Sequence, residues 1–164
     1  MSAWWPLRRP PIVAPGDVES ARLPTTARVV VVGVDGTPSG RAALRAAGEV
    51  AARAGLVLHG VHVGSDPLFL WAIAPTVTGC MAHWKVELEL EAFLDTAQAA
   101  AIAGVDFEFS SESGDVCSAL VRQARRAKAA LVVVGADARH SGWHPCPARR
   151  LARRTDVPVL VAHR

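Results

Sequence analysis

The feature that most constrains the fold is a pair of short, wholly apolar runs, Val29–Val34 and Leu131–Gly135. Both are rich in valine, which favours a β-strand over a helix. Strands without a polar face are typical of parallel sheets covered by helices on both sides. Neither run approaches the roughly 18 apolar residues of a membrane-spanning helix. The two runs therefore predict central strands of a buried parallel sheet and no membrane segment.

Three further strand segments alternate with four helical segments, and the strands are predicted at Val57–Val63, Val105–Phe109 and Val157–Val161. Alternation of this kind indicates right-handed strand–helix–strand units in one parallel sheet. The third strand alternates polar and apolar residues and the fifth contains Pro158, so both are expected at the edges. The sequence predicts one doubly wound α/β domain whose five-stranded parallel sheet has the order 3-2-1-4-5.

Two helices carry recognisable signals. Thr37 is expected to cap the first helix, with Pro38 at its first position. The helix from Ala82 to Ala103 is predicted to turn its larger apolar residues inward, and that inner face comprises Leu90, Phe93, Ala97 and Ala101.

Residues 1–27 contain five prolines and show neither a helical nor a strand period. We interpret them as a flexible N-terminal arm that precedes a domain over residues 28–164. Trp4 and Trp5 have two interpretations: they pack loosely, or they anchor a protein partner, since tryptophan is favoured at interface hot spots.

The predicted strand order places a topological switch between the first and fourth strands. Ligands of such sheets bind beyond the carboxyl ends of the strands at this point. The loops that follow Val34 and Val134 are therefore expected to border one crevice.

Several segments resemble the universal stress protein family. They are Val32–Thr37, Leu58–Val63, Gly114-Asp115, Leu131–Gly135 and Asp156–Val161. The five segments occur in the family's order, and the resemblance extends over about residues 28–163. The resemblance implies an adenine nucleotide alpha hydrolase-like fold in a cytoplasmic, usually homodimeric stress-response protein. It also implies a possible nucleotide site formed by Gly33, Asp35, Val63, Val134, Gly135 and Gly142.

The sequence departs from the pattern of ATP-binding family members at the phosphate loop. ATP-binding members have a strand-end glycine, a second glycine three residues on, and a Gly-Ser or Gly-Thr pair after nine more residues. Gly135 matches the first, but Ala138 stands at the second and Pro145-Cys146 at the pair. Prolines remove the backbone N–H groups that hold phosphates. We therefore predict no tight ATP binding. The alternative is an adenine-nucleotide-binding sensor that uses the Asp35 and Gly135–Gly142 loops, in which the side chains of Arg139, His140, Arg149 and Arg150 could compensate in part for the lost amides.

Catalysis and metal binding receive less support. Ser110, Ser111 and Ser113 lie near acidic residues but have no base placed by the sequence, so we predict no enzyme activity. A second alternative to partner binding is a metal or redox loop formed by His140, His144 and Cys146, although three ligand types in one loop also suit a solvent-exposed segment.

The edge strands of the sheet and the N-terminal arm indicate where protein partners would bind. A homodimer is expected through the edge strand Val157–Val161, so that Leu160→Asp would give monomers. A possible protein partner is expected at the N-terminal arm.

Two helices carry arginine-rich faces without aromatic residues beside them, which favours solvated surface over nucleic-acid binding. Three scattered cysteines fit a reducing cytoplasm.

Overall fold

The computed structural model describes residues 12–13, 26–64, 78–136 and 147–163, and these form one parallel sheet with helices on both faces. Its elements, in chain order, are β1 (Ile12–Val13), β2 (Val29–Val34), α1 (Pro38–Ala54), β3 (Val57–Gly64), α2 (Thr78–Ala103), β4 (Phe107–Ser113), α3 (Val116–Arg126), β5 (Leu131–Gly135), α4 (Pro147–Ala152) and β6 (Val159–Ala162).

The strand order is β1-β6-β5-β2-β3-β4, and every pair is parallel. The five strands predicted from the sequence are β2 to β6, and their predicted order, 3-2-1-4-5, is confirmed. The two wholly apolar strands β2 and β5 pair with each other in the centre, where Val31 lies opposite Val132. The alternating strand, β4, lies at one end of the sheet, as expected.

One strand was not predicted, and the expected edge position of the fifth strand, β6, is wrong because that strand lies between β1 and β5. β1 pairs with β6, with Ile12 opposite Val159 and Val13 opposite Leu160. A two-residue strand has no periodic signature, and its partner lies at the other end of the sequence. The rest of the predicted arm, including Trp4 and Trp5, lies almost entirely outside the described residues.

The core lies on both faces of the sheet because β2 contributes to each. Val30 and Val32 point toward α1 and α2, whereas Val31 points toward α3 and α4. All three are fully buried. Burial on both faces is the physical reason that this strand contains no polar residue. Within the described residues, none of the helices combines the length and hydropathy that crossing a membrane would take.

The start of α1 follows the sequence prediction. The Thr37 hydroxyl accepts a hydrogen bond from the Gly40 amide at 3.0 Å, and Pro38 occupies the first turn. Gly55 ends the helix with a left-handed φ of 63°, a conformation that costs glycine little.

The predicted inner face of α2 is wrong. Leu90 is 55% exposed and Phe93 39% exposed, and Ala101 also faces solvent. The buried positions are instead three small residues, Ala92, Thr96 and Ala100.

Close packing explains this rotation of α2. A Cβ atom on Gly60 would lie only 2.7 Å from Cγ2 of Thr96, so β3 leaves a slot that the helix fills. In the same way, a Cβ on Gly48 of α1 would lie 3.1 Å from Cβ of Ala103. Small residues on both sides bring α2 close to its neighbours, and its larger apolar side chains remain outside.

Candidate functional site

The turn after β2 presents a carboxylate in a defined position. Oδ1 of Asp35 accepts hydrogen bonds from the Thr37 amide at 3.0 Å and from the Thr37 hydroxyl at 2.6 Å. A Cβ on Gly40 would lie 3.3 Å from Cγ of Asp35 and overlap its Oδ1. The missing side chain at Gly40 therefore makes room for the carboxylate, which remains exposed to solvent.

The end of β5 packs directly against this turn. A Cβ on Gly135 would lie 2.5 Å from the carbonyl carbon of Ser39 and 3.0 Å from the Gly40 amide nitrogen. Only glycine allows such an approach between two backbones. The exits of β2 and β5 therefore border one region, as the predicted switch point requires.

A buried histidine joins the end of β3 to the same region. The ring Nδ1 of His62 lies 3.1 Å from the Val34 carbonyl oxygen. Because a carbonyl oxygen only accepts, Nδ1 must carry the proton. His62 was not predicted as part of the site, although its register opposite Val34 follows from pairing the two strands.

The predicted nucleotide-site residues have separate outcomes. Five lie at or near the carboxyl ends of three neighbouring strands: Gly33, Asp35, Val63, Val134 and Gly135. Packing also explains the glycine at position 33, since a Cβ there would contact Cδ1 of Leu120 at 3.4 Å. Gly142 lies outside the described residues. A nucleotide-binding role for the set stays a prediction.

Comparison with known proteins agrees with this architecture. The family model described as the universal stress protein family matches residues 26–163. The chain belongs to the universal stress protein family. The match begins after β1, so the added strand lies outside the region shared with the family.

Solved structures of universal stress proteins resemble the chain over most of its length. One, determined in complex with cAMP, is 26% identical, covers 84% of this chain and 97% of its own, and superimposes with a TM-score of 0.60. UspA from Lactobacillus plantarum is 15% identical, with 85% and 99% coverage and a TM-score of 0.68. A structure from Archaeoglobus fulgidus in complex with dAMP is 18% identical, with 83% and 97% coverage and a TM-score of 0.56. No curated protein matches the sequence.

The phosphate loop of the family falls mostly outside the described residues. Residues 137–146 contain both departures from the ATP-binding pattern, and also His140, His144 and Cys146. Within the described residues no cluster of three or more metal-ligating side chains occurs. The metal-loop hypothesis therefore stays untested.

One arginine offered as a compensating phosphate ligand has another partner. Asp115 caps α3 by accepting from the Ser118 amide at 3.0 Å. Arg150 lies 3.1 Å and Arg154 3.3 Å from the same carboxylate. Hydrogen bonds from Ser118, together with the two arginines, hold the pKa of Asp115 below its usual value. Binding a phosphate with Arg150 would compete with this ion pair.

The serines of β4 were predicted to have no placed base, and this prediction is wrong for Ser110. Nε2 of His59 lies 3.0 Å from the Ser110 hydroxyl, because β3 and β4 place the two side chains on one face. Oε2 of Glu108 is 3.8 Å from the other ring nitrogen, beyond hydrogen-bond distance. Nδ1 of His59 is buried without a hydrogen-bond partner among the described residues. The contact thus ties two strands together but lacks the oriented acid of a triad.

Burial makes His59 a source of pH-dependent stability. Burial lowers the pKa of His59 below its ordinary 6.5, and nearby Glu108 only partly opposes the shift. The unfolded chain therefore takes up a proton near pH 6.5 while the folded chain remains neutral. We expect the free energy of unfolding to be unaffected by His59 above pH 6.5 and to fall as the pH drops from 6.5 to the folded-state pKa.

Urea unfolding at a series of pH values between about 8 and about 5 measures this effect. His59→Gln keeps a donor for Ser110 and should lose stability less steeply below pH 6.5 than the unmodified protein. Equal slopes for His59→Gln and the unmodified protein would contradict the assignment.

Proposed function

We propose that this universal stress protein binds an adenine mononucleotide, and ATP only weakly, in the region beyond the ends of β2 and β5. The observation that carries the proposal is the backbone contact between Gly135 and the first turn of α1. It sets the Asp35 carboxylate next to the end of β5, at the switch point where such sheets bind ligands. The relative 26% identical to this chain was solved with cAMP, a ligand with one phosphate.

In this proposal Asp35 contacts the sugar. Both of its hydrogen bonds within the turn use Oδ1. The second oxygen, Oδ2, is then the acceptor for a ribose hydroxyl. Such a bond to a charged acceptor contributes about 1.5–3 kcal/mol.

The loop expected to hold the phosphate groups is unsuited to a triphosphate. Pro145 and Pro147 remove amides from the loop that the family uses for phosphates. Arg150, which could supply charge instead, is paired with Asp115. A single phosphate requires fewer donors than three, so the same loop discriminates by phosphate count.

Calorimetry with AMP, cAMP and ATP tests the proposal. We expect AMP or cAMP to bind at least about tenfold more tightly than ATP, which corresponds to ~1.4 kcal/mol. Asp35→Asn retains an acceptor for Thr37 and should weaken mononucleotide binding about tenfold or more. Asp106→Asn, at an exposed position before β4, is the control. Absence of heat and of thermal shift with all three nucleotides at millimolar concentration would refute the proposal.

We also propose that the protein acts without catalysis, through dimerisation and partner binding in the cytoplasm. The predicted dimer interface is Val157–Val161, and the predicted partner site is the N-terminal arm. In the structure β1 pairs with β6 at Val159 and Leu160, so another chain could pair there only after β1 leaves. Seven of the nine exposed large hydrophobic residues in the described part of the chain lie on α2. This apolar surface supports association at the opposite end of the sheet.

A further inference from the structure

The basic residues of the chain are concentrated on the two helices that cover one face of the sheet, α3 and α4. Residues 116–128 and 147–154, which contain these helices, include eight lysines and arginines and no acidic residue. The rest of the chain has ten basic and fifteen acidic residues. Charge is therefore separated within a chain whose net charge is only +3, and this face attracts anions that the remainder would repel.

A groove of about 380 Å³ runs along α3 on this face, and we call it the arginine groove. Its lining residues are Ser118, Val121, Arg122, Arg125, Arg126 and Arg154. Nη1 of Arg154 donates to the Ser118 hydroxyl at 3.2 Å, near the start of α3. Arg125 and Arg126 lie in its last turn. The arginines therefore extend over about 16 Å, the length of this 11-residue helix.

Two arginines of the groove already hold carboxylates of the chain itself. Arg122 pairs with Glu112 of β4, and Nη1 of Arg154 lies 3.3 Å from Oδ2 of Asp115. Asp115 is required there because a cation beside the N-terminal end of a helix is unfavourable. Both arginine side chains are still nearly half exposed. Since a guanidinium has five N–H donors, each of them can bind a further acceptor.

The other two arginines of the groove lack a carboxylate partner. Neither Arg125 nor Arg126 forms an ion pair or a hydrogen bond through its side chain with another described residue, and Arg126 acts on Glu112 only at longer range. The dipole of α3 favours basic residues at its C-terminal end. However, Arg122 and Arg126 are four residues apart, a spacing at which like charges on a helix repel. An anion bound in the groove would relieve this repulsion.

We propose that the arginine groove binds an acidic polypeptide segment of a partner protein. Arginine binds a carboxylate through two parallel N–H···O bonds, and the pairs with Glu112 and Asp115 show that carboxylates reach the arginines of this groove. Arg122 is about 5–6 Å from Arg125 and Arg126 along the helix surface. Alternate residues of an extended peptide lie about 6.6 Å apart on one side, so roughly five residues would span the groove.

Nucleic acid is the other polyanion that a row of arginines attracts. None of the described residues that line the groove is aromatic, so a single strand would find no side chain on which to stack its bases. Val121 and the methylene stems of the arginines instead offer apolar surface to the methylene groups of glutamate. The groove shares no residue with the predicted nucleotide site, so an acidic peptide would bind with or without a nucleotide.

Fluorescence anisotropy of a labelled peptide of about five Glu-Ser repeats, without nucleotide, tests the proposal on the full chain. We expect binding that weakens as the salt concentration rises, and we expect Arg125→Ala, Arg126→Ala to weaken it about tenfold. Both positions are exposed and alanine favours helix, so the variant should fold. Arg45→Ala, Arg53→Ala is the matched control, because it removes the same charge from exposed positions of α1, on the other face of the sheet.

Single-stranded and duplex DNA of similar charge are the competing ligands in the same measurement. Tighter binding of either DNA than of the peptide would overturn the choice of an acidic polypeptide. Equal losses in the two double variants would reduce the binding to attraction by net charge and overturn the groove, as would a peptide that does not bind even at low salt. Urea unfolding of both variants separates lost binding from lost folding, and we expect midpoints close to that of the unmodified protein.

Discussion

Gly135→Ala is expected to destabilise the protein by about 1–3 kcal/mol and to abolish mononucleotide binding. The added methyl group would overlap the carbonyl of Ser39 and lie 3.0 Å from the Gly40 nitrogen. Both belong to the backbone of the first turn of α1, which no change of side-chain rotamer can move aside. Either α1 or the end of β5 must shift, and the shift separates Asp35 from the end of β5.

Urea unfolding and calorimetry with AMP measure the two effects. Gly48→Ala is the matched control, since Gly48 lies eight residues beyond Gly40 in α1 and its methyl group would meet Cβ of Ala103 at 3.1 Å. That variant should retain AMP binding, because α2 and not the end of β5 receives the added methyl group. A Gly135→Ala protein with normal stability would show that the two backbones are not in contact.

Leu160→Asp should unfold the protein, and not produce the folded monomer that edge pairing alone predicts. Leu160 is 1% exposed and lies in the core on the α1 side of the sheet. A carboxylate there would be buried without a partner, which costs about 4 kcal/mol or more. Because domains have only about 5–15 kcal/mol of stability, most of this variant should be unfolded at room temperature.

Circular dichroism and gel filtration distinguish the two outcomes. Leu94→Asp makes the same chemical change at a position 54% exposed and should remain folded. A folded, cooperative Leu160→Asp protein would contradict the burial of this side chain. The comparison also shows why the C-terminal strand must be tested through its backbone: its side chains point into the core.

Parts of the candidate site could be predicted and parts could not. Asp35 and Gly135 follow from strand ends that the apolar runs define. His62 could have been found by aligning β3 with β2, because its register sets it opposite Val34. The Ser110–His59 contact could not, since the predicted third strand ended at Phe109 and left Ser110 outside it.

The sequence alone determined the strand order and the capped turn before α1. An apolar strand such as β2 has to be buried on both faces, and a Thr-Pro pair after a turn starts a helix wherever it occurs. The tertiary structure alone decided how α2 is rotated and that β1 extends the sheet. Hydrophobic patterning shows which residues are apolar, but the slot at Gly60 and the register beside β6 are contacts between distant parts of the chain, and they leave no local pattern.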